Sequence, residues 1–361
     1  MRKIVVRIGL VALASLLTVC LFELVLRCFF PVHLTGGVIG LYRYDEELGV
    51  RLQPGIRFLR TTDYQQEMHT NRLGTVNFQE SFDGYEQLVF ALGDSYTQGT
   101  GLPADASYPF QLDLMLNMQD GTYHKKYGVA NLGLASFGGE QTLLCLRRYA
   151  DILGKPDLIL FLGCENDHVD DVLFKDGYRH RHLVQGNPRW GLWVKPLQWF
   201  SNGTEIGKRL KLLVGRIRIS RRIAGPPEQE TTSEMPCVAQ LQESCLQRLV
   251  SASQELGAEL VVGWASLPED SSHSYQWLKE WARTNDVAFA DWHRPLQSVR
   301  RAIPELTVTN PHSGAHHRTW VNTVIARAFA EQIRAYEALG LGDTVKSGVE
   351  GKSRVAKFSA N

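Results

Sequence analysis

A serine hydroxyl becomes a nucleophile at neutral pH only when a base takes its proton, and histidine is the usual base. This chain of 361 residues carries both partners in suggestive places. Ser95 lies in Gly93-Asp94-Ser95-Tyr96, directly after the apolar run Leu88-Val89-Phe90-Ala91-Leu92. That run reads as a buried strand, and a serine on the turn beyond it exposes its hydroxyl. His312 lies near the other end, in Asn310-Pro311-His312-Ser313-Gly314-Ala315-His316-His317, and is the expected general base. The histidines His312, His316 and His317 also invite a metal reading. No matching carboxylate or cysteine pattern accompanies them, so a metal is not expected.

Two further segments could stabilise negative charge on an acyl transition state. Asn166, in Gly163-Cys164-Glu165-Asn166-Asp167, follows the apolar run Leu158–Leu162, and its side-chain amide can donate a hydrogen bond. Asn131 to Gly138 follows another short apolar run and can present a backbone N–H.

The elements needed to gather these residues are legible. Strands are expected at 88–92, 129–132, 158–162, 259–264 and 287–290. Helical patterns lie between them, and Val321 to Tyr336 closes the series. Continuous apolar strands alternating with helices predict a parallel sheet covered on both faces. The domain is read over 85–338, after a turn-rich lead-in at 31–84 and before a polar, disordered tail at 339–361. An insertion at 170–235 breaks the rhythm. It holds Trp190, Trp193, Trp199 and Phe200, then a basic stretch from Lys208 to Arg222 with an amphipathic helical period. The aromatics either cap the site or bury the insertion against the body. The basic face meets anionic lipid or polysaccharide, or only solvent.

At the amino terminus, Arg2, Lys3 and Arg7 precede an apolar stretch from Ile8 to Leu26 interrupted only by Glu23. This is read as a single-pass anchor within residues 1–30. The basic start keeps the amino terminus in the cytosol, so the body is expected in the periplasm, on the outer side of a cell inner membrane. The formal net charge is +1, without a long basic stripe, which argues against a nucleic-acid partner. The six cysteines form no CxxC pair and are expected to be mostly free thiols.

Taken in order, Val89 to Gly99, Asn131 to Gly138, Gly163 to Asp167 and Asn310-Pro311-His312 resemble the four blocks of the SGNH/GDSL hydrolase superfamily. The lead-in segments Tyr42 to Gly49 and Thr70 to Gly74 resemble its bacterial membrane-anchored members. The resemblance implies a flavodoxin-like three-layer α/β/α fold and an acyl-enzyme on Ser95, formed without metal or cofactor. It implies an oxyanion hole from the backbone of Ser95 and Ser136 and the amide of Asn166. The substrate class is an ester of a small molecule or carbohydrate, such as an O-acyl group of the envelope. Acyl transfer with the same residues, or a degenerate glycan-binding domain, are the alternatives. Ser136 stands where the family usually has glycine. Asn310 stands where it usually has aspartate, two or three residues before the histidine, and would orient His312.

Overall fold

A computed structural model describes residues 2–30, 42–61, 65–119, 121–175, 200, 203–207, 209–210, 213, 235–267, 272–310 and 316–338. Trp190, Trp193, Trp199, His312 and the tail fall outside them.

The sheet follows from the apolar runs. Its five parallel strands are β5 (Gln87–Gly93), β8 (Tyr127–Asn131), β9 (Leu158–Gly163), β10 (Glu259–Trp264) and β11 (Ala288–Phe289). Their spatial order is β11-β10-β9-β5-β8. The expected edge strand at 287–290 is thus only two residues long. Period-two alternation sends Phe90, Leu92, Ile159, Phe161, Leu260 and Val262 into one core. That core is covered by α4 (Gly139–Leu153), α6 (Met235–Leu256) and α7 (Ser272–Thr284). Val89, Ala91, Leu158, Leu160, Leu162 and Val261 enter the other core. There α3 (Tyr108–Asn117), α8 (His293–Ala302) and α9 (Thr319–Ala338) cover them. The fold is three-layer α/β/α. Each fully buried Leu or Phe in these layers contributes about 2 kcal/mol.

The remaining described elements are short, apart from the first. The helix α1 (Arg2–Phe29) leads the chain, and its Val6–Phe29 segment is long and apolar enough to cross a membrane. The lead-in is more ordered than its turn residues suggest. It forms two antiparallel pairs, β1 (Tyr42–Asp45) with β2 (Gly49–Leu52) and β3 (Arg57–Thr61) with β4 (Gln65–His69). The first is held to α4 by Arg148, whose guanidinium meets both oxygens of Asp45 at 2.8 and 2.9 Å. After β5 comes the single-turn helix α2 (Ser95–Gln98), and a tight ribbon of β6 (Met118–Gln119) and β7 (Thr122–Tyr123) follows α3. The helix α5 (Asp167–Lys175) opens the insertion.

The edge of β8 is covered by two asparagine side chains. Asn117 accepts from the Tyr127 N–H at 2.8 Å and donates to the Tyr127 carbonyl at 2.7 Å. Asn77 donates to the Val129 carbonyl at 3.1 Å and accepts from the Asn131 N–H at 2.9 Å. Each amide therefore serves as one peptide unit of a further strand. Asn77→Ala leaves the buried Asn131 N–H and Val129 C=O without these bonds, at a cost of about 3 kcal/mol. A thermal melt of the variant should show a marked drop in Tm, whereas Asn77→Asp, which keeps the acceptor, should lose less.

Candidate active site

Three loops meet at the carboxyl ends of β5, β8 and β9. From β5 the chain moves outward to β8 and then returns to β9 on the other side, so these loops flank a switch point in the sheet. Ser95 opens α2 here. Gly93 has φ +146°, and a Cβ on it would stand 2.4 Å from Thr97 Oγ1 and 2.7 Å from the Leu162 carbonyl, so the turn into Ser95 demands glycine. Asp94 caps α2, accepting the Tyr96 N–H at 2.9 Å. The Ser95 hydroxyl lies 3.4 Å from the Asp94 carboxylate.

The imidazole set against Ser95 belongs to His316, with Nε2 2.7 Å from Oγ. His312, the base expected from the sequence, lies outside the described residues. A short antiparallel pairing delivers His316. Thr309 bridges His317, and the Asn310 N–H donates to the His316 carbonyl at 2.8 Å. Adjacent residues of extended backbone face opposite ways. His316 therefore reaches Ser95 while His317 turns inward, its Nε2 2.6 Å from the Ala265 carbonyl. Burial, with smaller contributions from His316 and His293, holds the His317 pKa down to about 4 despite that bond, so this ring stays neutral in the core. The Tyr96 ring packs on both, 4.9 Å from His316 and 4.7 Å from His317.

Asn310 was expected to orient the base through its side chain. In the structure it is buried, its amide donating to the Gly101 carbonyl at 3.4 Å, and it holds His316 through the backbone.

The loop after β8 is pinned to α2, the helix that Ser95 opens. Gln98 accepts the Ala135 N–H at 2.6 Å, and the Leu134 N–H donates to the Gly93 carbonyl at 3.2 Å. Gly133 lies so close that a Cβ would meet Thr97 Cβ at 2.5 Å. With the Ala135 N–H taken by Gln98, the next N–H along the loop is that of Ser136. Ser136 has φ +74°, a left-handed conformation that costs a residue with a Cβ about 1–2 kcal/mol. That conformation is the physical reason glycine suits this position.

Asn166 is held from below. Its amide donates to Asp170 at 2.8 Å, one turn along α5. It also faces Asp94, with Ser95, as a hydrogen-bond donor that favours the ionised carboxylate. An amide has two N–H groups, so Asp170 and Asp94 take both and fix its direction, and any further acceptor would replace Asp94 as partner. Gln98, Asp94 and Asp170 were not singled out in the sequence. A glutamine one turn after the serine and an aspartate four residues after Asn166 are weak signals before the loops are placed.

Comparison with family models finds none that matches, and no curated protein matches either. Among solved structures, the chain resembles a lipolytic protein of the G-D-S-L family from Veillonella parvula, with TM-score 0.39, 10% identity, and coverage of 68% of this chain and 96% of that one. It also resembles TesA, with TM-score 0.39, 12% identity, and coverage of 69% and 99%. A third is a variant of an acetyl-xylooligosaccharide esterase from Geobacillus, with TM-score 0.37, 14% identity, and coverage of 69% and 95%.

Burial raises the Asp94 pKa to about 6; the Asp170 charge adds to this, and the Tyr96 N–H, Ser95 and Asn166 oppose it. The folded protein thus holds this proton where the unfolded chain has lost it. Stability from Asp94 is present below the ordinary value of 3.8 and falls as pH rises toward about 6. Asp94→Asn keeps a capping side chain without the charge. Its Tm relative to the parent should therefore be higher at pH 7.5 than at pH 4.5; a difference independent of pH would show that Asp94 is not held protonated.

Proposed function

We propose that this chain is a serine esterase-type hydrolase of the SGNH/GDSL kind, with Ser95 as nucleophile and His316, in place of His312, as general base. The observation that carries this reading is the 2.7 Å contact between His316 Nε2 and Ser95 Oγ. Ser95 Oγ attacks the acyl carbon as its proton passes to His316 Nε2. The N–H groups of Ser95 and Ser136 and the Asn166 amide receive the oxyanion. Collapse breaks the ester bond, and the leaving alkoxide takes the proton back from the imidazolium. Water, deprotonated by the same imidazole, then releases the acyl group.

The α1 helix is read as a retained anchor, with its basic end in the cytosol and the body outside. An ester within reach is then an O-acyl group on envelope carbohydrate. A phosphonate ester probe tests the chemistry, because an activated serine attacks phosphorus as it attacks an acyl carbon. Ser95→Ala should abolish labelling and His316→Ala should reduce it at least a hundredfold. His312→Ala should leave most of it. Loss in His312→Ala with retention in His316→Ala would return the base to His312.

No Asp or Glu lies between Glu305 and His316. The position three residues before His316 is Ser313, where the resemblance calls for aspartate. A carboxylate there would fix the imidazole tautomer and stabilise the imidazolium, a role whose loss costs about 10⁴ in turnover in the Ser-His-Asp template. Ser313→Asp should accordingly raise turnover of an activated aryl acetate tenfold or more, with an unchanged melt. A folded variant with unchanged turnover would indicate that His316 is already fully oriented.

A further inference from the structure

The outer end of α1 is built into the fold. Glu23 accepts the backbone N–H groups of Glu205 at 2.7 Å and Ile206 at 3.0 Å. Arg27 donates to the Gly203 carbonyl at 2.9 Å. In the other direction, Arg209 donates to the Phe30 carbonyl and pairs with Glu205 at 2.9 Å. Glu205 itself is buried. A segment of the insertion nearly two hundred positions away thus grips the last two turns of the apolar helix. At 1.5 Å per residue, Glu23 stands about 9 Å short of the helix end at Phe29. The grip therefore reaches down the flank of α1, to the level at which its uncharged run begins.

Next to this grip the segment turns apolar side chains outward. Leu210 and Leu213, three apart and so on one helical face, are 51% and 54% exposed. Phe200 and the terminal Phe29 and Phe30 of α1 are exposed as well. The same stretch carries Lys208, Arg209 and Lys211. Exposed apolar groups on a basic segment, continuous with the apolar flank of a candidate membrane span, match the composition of an in-plane interfacial helix.

We infer that the segment carrying Phe200, Leu210 and Leu213 forms a foot, clamped to the anchor by Glu23, that beds in the headgroup layer of an anionic bilayer. This rests on α1 spanning the membrane. The foot would hold the body at a set height over the membrane, and the capping grip on Glu23 requires that α1 be retained rather than cleaved.

The test uses the full chain, reconstituted in nanodiscs of phosphatidylcholine with phosphatidylglycerol, in a Cys20→Ala, Cys28→Ala background. An environment-sensitive dye is placed on Leu213→Cys, on Leu16→Cys within α1, and on Tyr44→Cys on the body. Nitroxide lipids should quench the dye at 213 at least threefold more than at 44, and at 16 most of all. The excess at 213 should shrink when phosphatidylglycerol is omitted. Adding Glu23→Leu, which removes the clamp, should cut quenching at 213 and spare 16. Quenching at 213 no greater than at 44, with 16 quenched, would overturn the foot and leave the anchor. No quenching at 16 would overturn the anchor and the foot with it.

Discussion

The hydrogen bond between Ser95 and His316 joins residues 221 positions apart, and the rest of the fold can be understood as what closes that distance. The parallel sheet fixes one partner. It puts Ser95 at the end of β5, between β9 and the border strand β8, in a turn so tight that Gly93 cannot carry a Cβ. The other partner arrives on a few residues of extended backbone before α9. Their pairing with Thr309 and Asn310 decides which of two neighbouring histidines looks outward. The choice is a matter of period: a shift of one residue would bury His316 and expose His317.

Around this pair, charge is arranged unusually. Carboxylates cluster on the side of Ser95, where Asp94 and Asp170 bracket the Asn166 amide. The histidine side lacks an acid nearby in sequence. The cluster orients the amide at the cost of a carboxyl group held partly protonated by burial. Ser136, strained into a left-handed turn, has the same character: local free energy is given up where geometry matters.

Much of this was legible in the sequence because burial writes itself as runs of apolar residues. The strands, their parallel arrangement, Ser95 and the loops after β8 and β9 follow from that pattern. The contact of His316 with Ser95 did not follow. Three histidines lie within a few residues of one another in the sequence, and the register of the Thr309–His317 pairing is what turns His316 rather than His317 toward Ser95. No periodicity is available over so short an extended segment. Asn310 has a part that its residue type did not signal: its backbone N–H holds the histidine strand. The order of the lead-in was also missed, since Asn77 carries no signal in the sequence. Its side chain satisfies backbone groups of β8 far along the chain.

That arrangement on β8 has a consequence for how the molecule behaves among copies of itself. An open sheet usually ends in a row of unpaired backbone groups that can template another chain. Here Tyr127, Val129 and Asn131 already have side-chain partners from Asn77 and Asn117, and at the opposite end β11 pairs over only two residues. Neither end of the sheet offers a long ladder to extend. On the proposed anchoring, copies of the molecule would diffuse in two dimensions and collide often. With one border covered and the other only two residues long, such collisions have little opportunity to become strand exchange.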